Sequence, residues 1–263
     1  MTRPVLLDLF CGAGGAAMGY HMAGFDVVGV DIEPQPRYPF EFVQGDALKF
    51  AARYGHEFDV IHASPPCQVY SRTRHIVDAQ AAPVRERVDM VDDTRRALEA
   101  TGRPYVIENV PGAPLRSPIL LCGMMFGLRV IRHRWFEVGR AFLLAPPHPR
   151  HPRRPLTNSD GGYSSFGHGA EYITVTGNNF LLSEAKEAMG IDWMLKREIT
   201  QAIPPAYTRW IGLELIRVLG TKITNMEVCD DGTNGNISIQ EGNRPRGGDK
   251  SSARDCTADG VHY

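Results

Sequence analysis

Short apolar runs alternate with amphipathic stretches over the first half of the chain, and that alternation predicts an α/β fold. Residues 4–10 form an apolar strand broken once, by Asp8; residues 26–30 and 58–62 repeat the pattern. Runs of this length, rich in aliphatic and β-branched residues and bounded by turn formers, read as buried strands. Between the first two lies Cys11-Gly12-Ala13-Gly14-Gly15, followed by a small-residue helix to about Gly24. Strand, glycine-rich turn, helix is the opening of a nucleotide-binding βαβ unit. Val84, Val88, Val91 and Leu98 recur at helical spacing, predicting a helix over 83–100 that Gly102 ends and whose charges form its wet face. Residues 104–110 are a further strand. Helices are expected over 183–189, capped by Ser183, and from 202 to 219. From 221 the texture changes to Asp, Gly, Asn, Ser and Arg with scattered apolar residues; such a stretch buries no core, so 221–263 is expected to be a disordered tail.

The 263 residues, 43% of them hydrophobic, suffice for one large domain or one domain with a small insert. A net charge of -1 sets up no global field, so nucleic-acid binding would need a local patch. One exists: Arg129, Arg132, Arg134, Arg140, Arg150, Arg153 and Arg154 lie within a span whose single acid is Glu137. Prolines at 146, 147, 149, 152 and 155 keep part of it extended, and 161–169 is glycine-rich with two aromatics. A short target-recognition insert is placed at 139–177, between the halves of a catalytic domain at 1–138 and 178–220. No apolar run approaches membrane-spanning length, and no signal-peptide pattern opens the chain. The five cysteines are odd in number and widely spaced, with neither a disulfide framework nor zinc-type clustering, so no metal is expected and a reducing cytoplasm fits.

Candidate chemistry gathers just past strand ends. Ala63-Ser64-Pro65-Pro66-Cys67-Gln68 follows the third strand; each proline fixes its own φ, so a stiff loop aims the Cys67 thiol. A lone cysteine reads equally well as a small buried hydrophobe. Asp31 ends the second strand, where an acid accepts from ribose hydroxyls, with Glu33 as competitor. Asp46 precedes a helix and could simply cap it. Glu108, at the end of a buried strand, needs a partner or a raised pKa; a capping or salt-bridged role would meet that need. Residues 70–75 read as a basic loop able to close over a polyanion, or as a solvated turn.

Taken in order, these segments resemble the C5-cytosine DNA methyltransferase family. Asp8-Leu9-Phe10-Cys11-Gly12-Ala13-Gly14-Gly15 is similar to its first motif, which cups the methionine part of S-adenosylmethionine, with the phenylalanine on the adenine. The resemblance assigns ribose to Asp31, where the family more often has Glu, one adenine face to Ile32, and the adenine amino group to Asp46, with Ala47 and Pro66 also at the cofactor. Pro65-Pro66-Cys67-Gln68 is similar to the motif that carries the covalent nucleophile. Glu108-Asn109-Val110 is similar to the sixth motif, and Arg132-His133-Arg134 to the Arg-x-Arg strand whose second arginine helps hold the base and the glutamate. Residues 202–207 resemble the last motif, but the usual Gly-Asn before it is Thr200-Gln201, which leaves Gln201 as the candidate for the asparagine's cofactor contact. The resemblance covers 4–138 and 178–220. It implies a Rossmann-like S-adenosylmethionine-dependent methyltransferase fold and double-stranded DNA as partner. It further implies a monomer in a bacterial or phage-infected cytoplasm, with a cognate restriction endonuclease as an associated protein.

The implied chemistry follows from the ring. Cytosine C5 is a poor nucleophile until a thiolate adds to C6 and turns the ring into an enamine. Cys67 is the implied nucleophile and Glu108, protonated, the donor to N3; Arg134 holds O2 and the glutamate, with Arg132 in support. The base must leave the duplex to be reached. Gln68, Ser71, Arg72, Arg74, Arg150, Arg153 and Arg154 are the expected DNA contacts. A tRNA cytosine methyltransferase, a catalytically silent DNA-binding protein and a methyltransferase for a substrate other than nucleic acid are the competing readings.

Overall fold

The computed structural model describes residues 2–70, 89–151, 172–177 and 180–228, with side chains to 220. Its centre is a seven-stranded sheet: β1 (Val5–Leu9), β2 (Asp26–Asp31), β3 (Glu41–Gln44), β4 (Val60–Ala63), β5 (Tyr105–Asn109), β6 (Ile119–Leu121) and β7 (Arg134–Gly139). The spatial order is β3-β2-β1-β4-β5-β7-β6. The first five are mutually parallel; β7 runs antiparallel to both β5 and β6. The helices are α1 (Gly15–Ala23), α2 (Ala47–Tyr54), α3 (Val91–Ala100), α4 (Leu182–Met189), α5 (Lys196–Ile199) and α6 (Pro205–Val228).

The chain goes outward from β1 to β3, then returns to the other side of β1 for β4 and β5. That reversal makes the β1–β4 boundary a topological switch point, where loops diverge and leave a crevice. Register brings the loops together: Leu9 pairs with Val30 on one side and with Ala63 on the other. The turn after β1, Asp31, the Pro-Pro-Cys loop and the end of β5 therefore all emerge on one edge.

Alternation along β1 builds both faces of the core. Leu6 packs with α1 and α6 residues, including Tyr20, Tyr207, Ile211 and Leu215. Leu7 and Leu9 point the other way, to Ala47 and Ala51 of α2 and Leu98 of α3. Glycine lets α1 and α6 touch: a Cβ on Gly19 would come within 2.1 Å of the Pro205 carbonyl and the Thr208 hydroxyl. Thr208 Oγ1 donates to the Ala16 carbonyl at 2.8 Å across the same contact. A smaller cluster of Val130, Ile173, Val175, Met189 and Ile199 joins the 172–177 segment to α4 and α5.

Several expectations need correction. Leu181, not Ser183, occupies the N-cap of α4, and no side chain caps it. The strand expected to carry Arg132-His133-Arg134 begins only at Arg134, Val130 making an isolated bridge to Ile173. The last helix runs past 219 to Val228, so the first residues of the expected tail are helical; 229–263 lie outside the described residues. The charges of α3 are not all a wet face. Arg95 is buried, donating to Glu137 through Nε and Nη2 at 2.7 and 2.8 Å and to the Pro114 carbonyl at 2.8 Å. A guanidinium can sit there because its partner is bidentate and itself buried.

Candidate active site

Two loops from neighbouring strands meet at the thiol. The first continues the β4 ladder, with Ser64 N donating to the Leu9 carbonyl at 3.1 Å, then turns through buried Pro65 and exposed Pro66 to half-buried Cys67. The second is the end of β5, where Asn109 Nδ2 donates to the Pro65 carbonyl at 3.0 Å. Pro65 has no side-chain rotor and its φ is fixed, so this one bond sets where the next two residues go. The sequence assigned Asn109 no role; its place directly after Glu108, level with the second loop on a parallel sheet, was the available signal.

Glu108 lies beside this loop, 6% exposed. Arg134 Nε lies 3.0 Å from its Oε1, in a pair whose side chains are 14% and 8% exposed. The β5–β7 pairing explains the meeting: Asn109 lies opposite Trp135, which places Arg134 at the carboxyl end of β5. Burial pushes the Glu108 carboxyl up, opposed by Arg134, Arg132 and a Ser64 hydrogen bond. Burial also pushes the Cys67 thiol up, Glu108 adds to that, and Arg134 and Arg132 oppose it. The resting thiol is thus held neutral rather than activated outright. Behind Ser64 runs a polar chain: His62 Nε2 lies 3.0 Å from Ser64 Oγ, and Tyr20 OH 3.0 Å from His62 Nδ1. Burial lowers His62 to about 3, so its ring is neutral and can pass a hydrogen-bond direction from tyrosine to serine to glutamate.

Arg132 does not face the thiol in the same way. Its Nη1 donates to the Val175 carbonyl and its Nη2 to the Thr200 carbonyl, each at 2.7 Å. Burial, and then Arg134, lower its pKa to about 9. It acts as a positioning residue, fastening the 172–177 segment and the 200–203 loop to the Arg-x-Arg stretch.

The glycine turn borders the same edge. Phe10 adopts φ 56°, Gly12 φ 50° and Gly14 φ 84°, a run of left-handed residues that curls the backbone back over β1. The Gly12 N–H donates to Asp31 Oδ2 at 3.0 Å and the Glu33 N–H to Asp31 Oδ1 at 3.0 Å, fixing that carboxylate at the turn. A Cβ on Gly12 would meet nothing within 4 Å, whereas one on Gly15 would meet the Ile203 carbonyl at 2.5 Å. Gly12 therefore borders open space, and Gly15 is small for packing. The side chains of Cys11, Ala13 and Ala47 are all core, so those residues can offer only backbone to a ligand. Asp46 caps α2, its Oδ1 accepting from Leu48 and Lys49 N–H at 3.0 and 3.1 Å. Ile32 stands 68% exposed at the edge, and Asp8 Oδ1 is buried without a partner. Trp193 Nε1 donates to the Ala13 carbonyl at 2.8 Å and clasps the turn, and Arg37 pairs with Glu198 at 2.6 Å, tying the loop after β2 to α5; both ties went unread in the sequence. Gln201 is exposed on the neighbouring loop.

Of the expected DNA contacts, Gln68 and Arg150 are exposed, while Ser71, Arg72, Arg74, Arg153 and Arg154 lie outside the described residues. One cluster was not expected at all: Cys122, His133, His148 and His151 bring one ligand atom each to within 4.8 Å of one another. Among the described residues no helix is long and apolar enough to cross a membrane.

Residues 5–114 match the family model described as C-5 cytosine-specific DNA methylase. The chain is 35% identical over 130 residues to Type II methyltransferase M.XorII of Xanthomonas oryzae pv. oryzae, a match covering 43% of this chain and 29% of that relative. Two solved structures share the fold at low identity. The S. pombe Dnmt2 methyltransferase aligns with a TM-score of 0.53 and 13% identity over 82% of this chain and 99% of its own. A prophage-encoded DNA modification methyltransferase structure from E. coli aligns at 0.51 and 15% over 82% and 99%.

Proposed function

We propose that the chain, whose residues 5–114 match the C-5 cytosine-specific DNA methylase family model, methylates C5 of a cytosine in DNA through a covalent bond from Cys67. The observation that carries this reading is the convergence of Glu108, Arg134 and the Asn109-clamped Cys67 loop on the edge that also holds the glycine turn.

The left-handed turn at 10–14, the open side of Gly12, the Asp31 carboxylate and the exposed Ile32 fit S-adenosylmethionine. Asp31 would take the ribose, Ile32 an adenine face and the turn the methionine portion. When bound, the cofactor supplies an electrophilic methyl group. Everything else falls to the protein.

Ionised Glu108 raises the proton affinity of the Cys67 thiol beside it. A proton on Glu108 removes the negative charge that disfavours the Cys67 thiolate. It also makes Glu108 the hydrogen-bond donor that the ring nitrogen N3 needs while charge builds there. The reactive state is thus a thiolate beside a neutral acid. Arg134 steadies both members and can reach the ring oxygen. The cytosine enters this pocket only out of the duplex, at a cost of a few kcal/mol offset by contacts to the backbone.

The test uses purified chain, labelled S-adenosylmethionine, and duplex DNA or tRNA as acceptor. Label should enter DNA cytosine, and DNA carrying 5-fluorocytosine should form a stable adduct with the wild type. Cys67→Ala should abolish transfer and adduct while keeping cofactor affinity within about twofold. Turnover in that variant within tenfold of wild type refutes the nucleophile, and labelling of tRNA alone refutes the substrate.

A further inference from the structure

The four-residue Cys–His cluster plays no part in methyl transfer as derived above. Its construction begins at the open end of the β6–β7 ladder. Leu121 pairs with Arg134, so the next cross-strand pair along is Cys122 and His133. Facing side chains at a ladder end lie about 5 Å apart at Cβ. The other two members come from one loop, His148 and His151, in a proline-rich stretch that holds them extended. Two residues from a strand end and two from one short loop segment thus bring together four side chains of the kinds that ligate zinc.

The distances agree. Zinc bonds of roughly 2.0–2.1 Å to nitrogen and 2.3 Å to sulfur imply tetrahedral edges of about 3.3 Å between two nitrogens and about 3.6 Å between nitrogen and sulfur. Here His133 Nε2 and His148 Nε2 are 3.2 Å apart. Cys122 Sγ and His151 Nε2 are 3.4 Å apart. All four ligand atoms fall within 4.8 Å of one another, so a small closure would complete the polyhedron. The three imidazoles crowd together, His133 stacked on His151 and His148 tilted against it, with centroids 4.8 Å apart in both pairs. The Cys122 thiol is fully buried, and a nitrogen of each of the three rings lies within 4.8 Å of its sulfur.

We propose that Cys122, His133, His148 and His151 bind one zinc ion, as a closed structural site at the root of the 139–177 insert. On binding, the Cys122 thiol loses its proton to solvent and all four positions are filled by protein, so no position is left open for chemistry. The ion would pin the proline-rich segment to the sheet edge. It would also fix His133, whose carbonyl accepts from Arg134 Nη1 at 2.8 Å, and so steady the arginine that grips Glu108.

The experiment does not depend on methyl transfer. Untagged full-length chain is dialysed against micromolar zinc, then metal-free buffer, and its metal content is measured by inductively coupled plasma mass spectrometry. A parallel sample takes cobalt(II). About one zinc per chain, and a tetrahedral cobalt spectrum with a thiolate charge-transfer band, are expected. Cys122→Ser should erase that band, and His148→Asn, at an exposed position where folding is not at stake, should weaken zinc affinity about 100-fold or more. His56→Asn, exposed and remote, should keep full stoichiometry. Trace metal only, no cobalt spectrum, or undiminished binding in His148→Asn would overturn the proposal.

Discussion

Replacing Arg134 with methionine isolates the electrostatic core of the site. Arg134 Nε stands 3.0 Å from Glu108 Oε1, and both side chains are nearly buried. At that separation and an effective dielectric near 20 the gross attraction is about 5 kcal/mol. Removing one partner of a buried pair costs about 3–5 kcal/mol, because the other charge is left without compensation. Glu108 has an escape, since it can bind a proton. Burial already raises its pKa, Arg134 is the largest opposing influence, and the variant loses that influence. The folded-state value then lies well above the unfolded one. Its contribution is intact at pH below the ordinary carboxylate range and is lost as pH rises through the raised folded value.

The stability deficit of Arg134→Met relative to wild type should therefore be small near pH 5 and grow toward pH 8. For a compact unit of residues 1–223, 3–5 kcal/mol corresponds to a fall in Tm of about 6–20 °C at the upper pH. Thermal unfolding at pH 5, 6.5 and 8 measures it, on wild type, Arg134→Met, Glu108→Gln and the double variant. The double variant has no carboxyl left to titrate at this site, so its own Tm should carry no pH dependence from this pair, and its deficit at pH 8 should be smaller than the sum of the single ones. A deficit in Arg134→Met that ignores pH, or a double variant as pH-sensitive as Arg134→Met, would refute the assignment of Glu108 as the charge that Arg134 neutralises.

Three other outcomes are expected. Alkylation of Cys67 by iodoacetamide, followed by peptide mapping, should rise with pH beyond the ordinary thiol range; Glu108→Gln should move the profile to lower pH and Arg134→Met to higher, and coincident profiles would contradict the pairing. Asn109→Ala removes the bond to the Pro65 carbonyl and should lower kcat about 10–100-fold with cofactor KM within twofold; steady-state methyl transfer decides, and an unchanged kcat would sink the clamp. Asp8, pushed up to about 8 by burial, favours the protonated form in the folded state. Its contribution is complete below the unfolded carboxylate's pKa and drains away as pH climbs to about 8, so wild type should lose Tm between pH 6 and 9 while Asp8→Asn loses less. Equal losses would remove Asp8 from the account.

What could be read in advance and what could not divide along the geometry of the sheet. Cys67, Asp31 and the glycine turn each follow a parallel strand, and parallel strands in register deliver their following loops to one edge, so strand order alone brings them together. Glu108 and Arg134 meet across an antiparallel pair, and there the register decides: a slip of one residue would turn Arg134 to the other face. Only the likeness to known motifs, not the spacing, pointed to that meeting. Arg95 shows the same limit. Its helix has the apolar period of a half-buried surface, and nothing local says that Glu137, on β7, waits in the wall behind it. The Cys122 cluster combines both difficulties, with a three-residue strand too short to register as one and partners separated by an irregular loop. Local pattern reports what each segment would bury, whereas a charged or ligating side chain is placed by its complement. In this chain those complements lie on β7 and just before it, at His133, Arg134 and Glu137. That antiparallel edge is the part of the sheet on which the thiol, the acid and the proposed metal all depend.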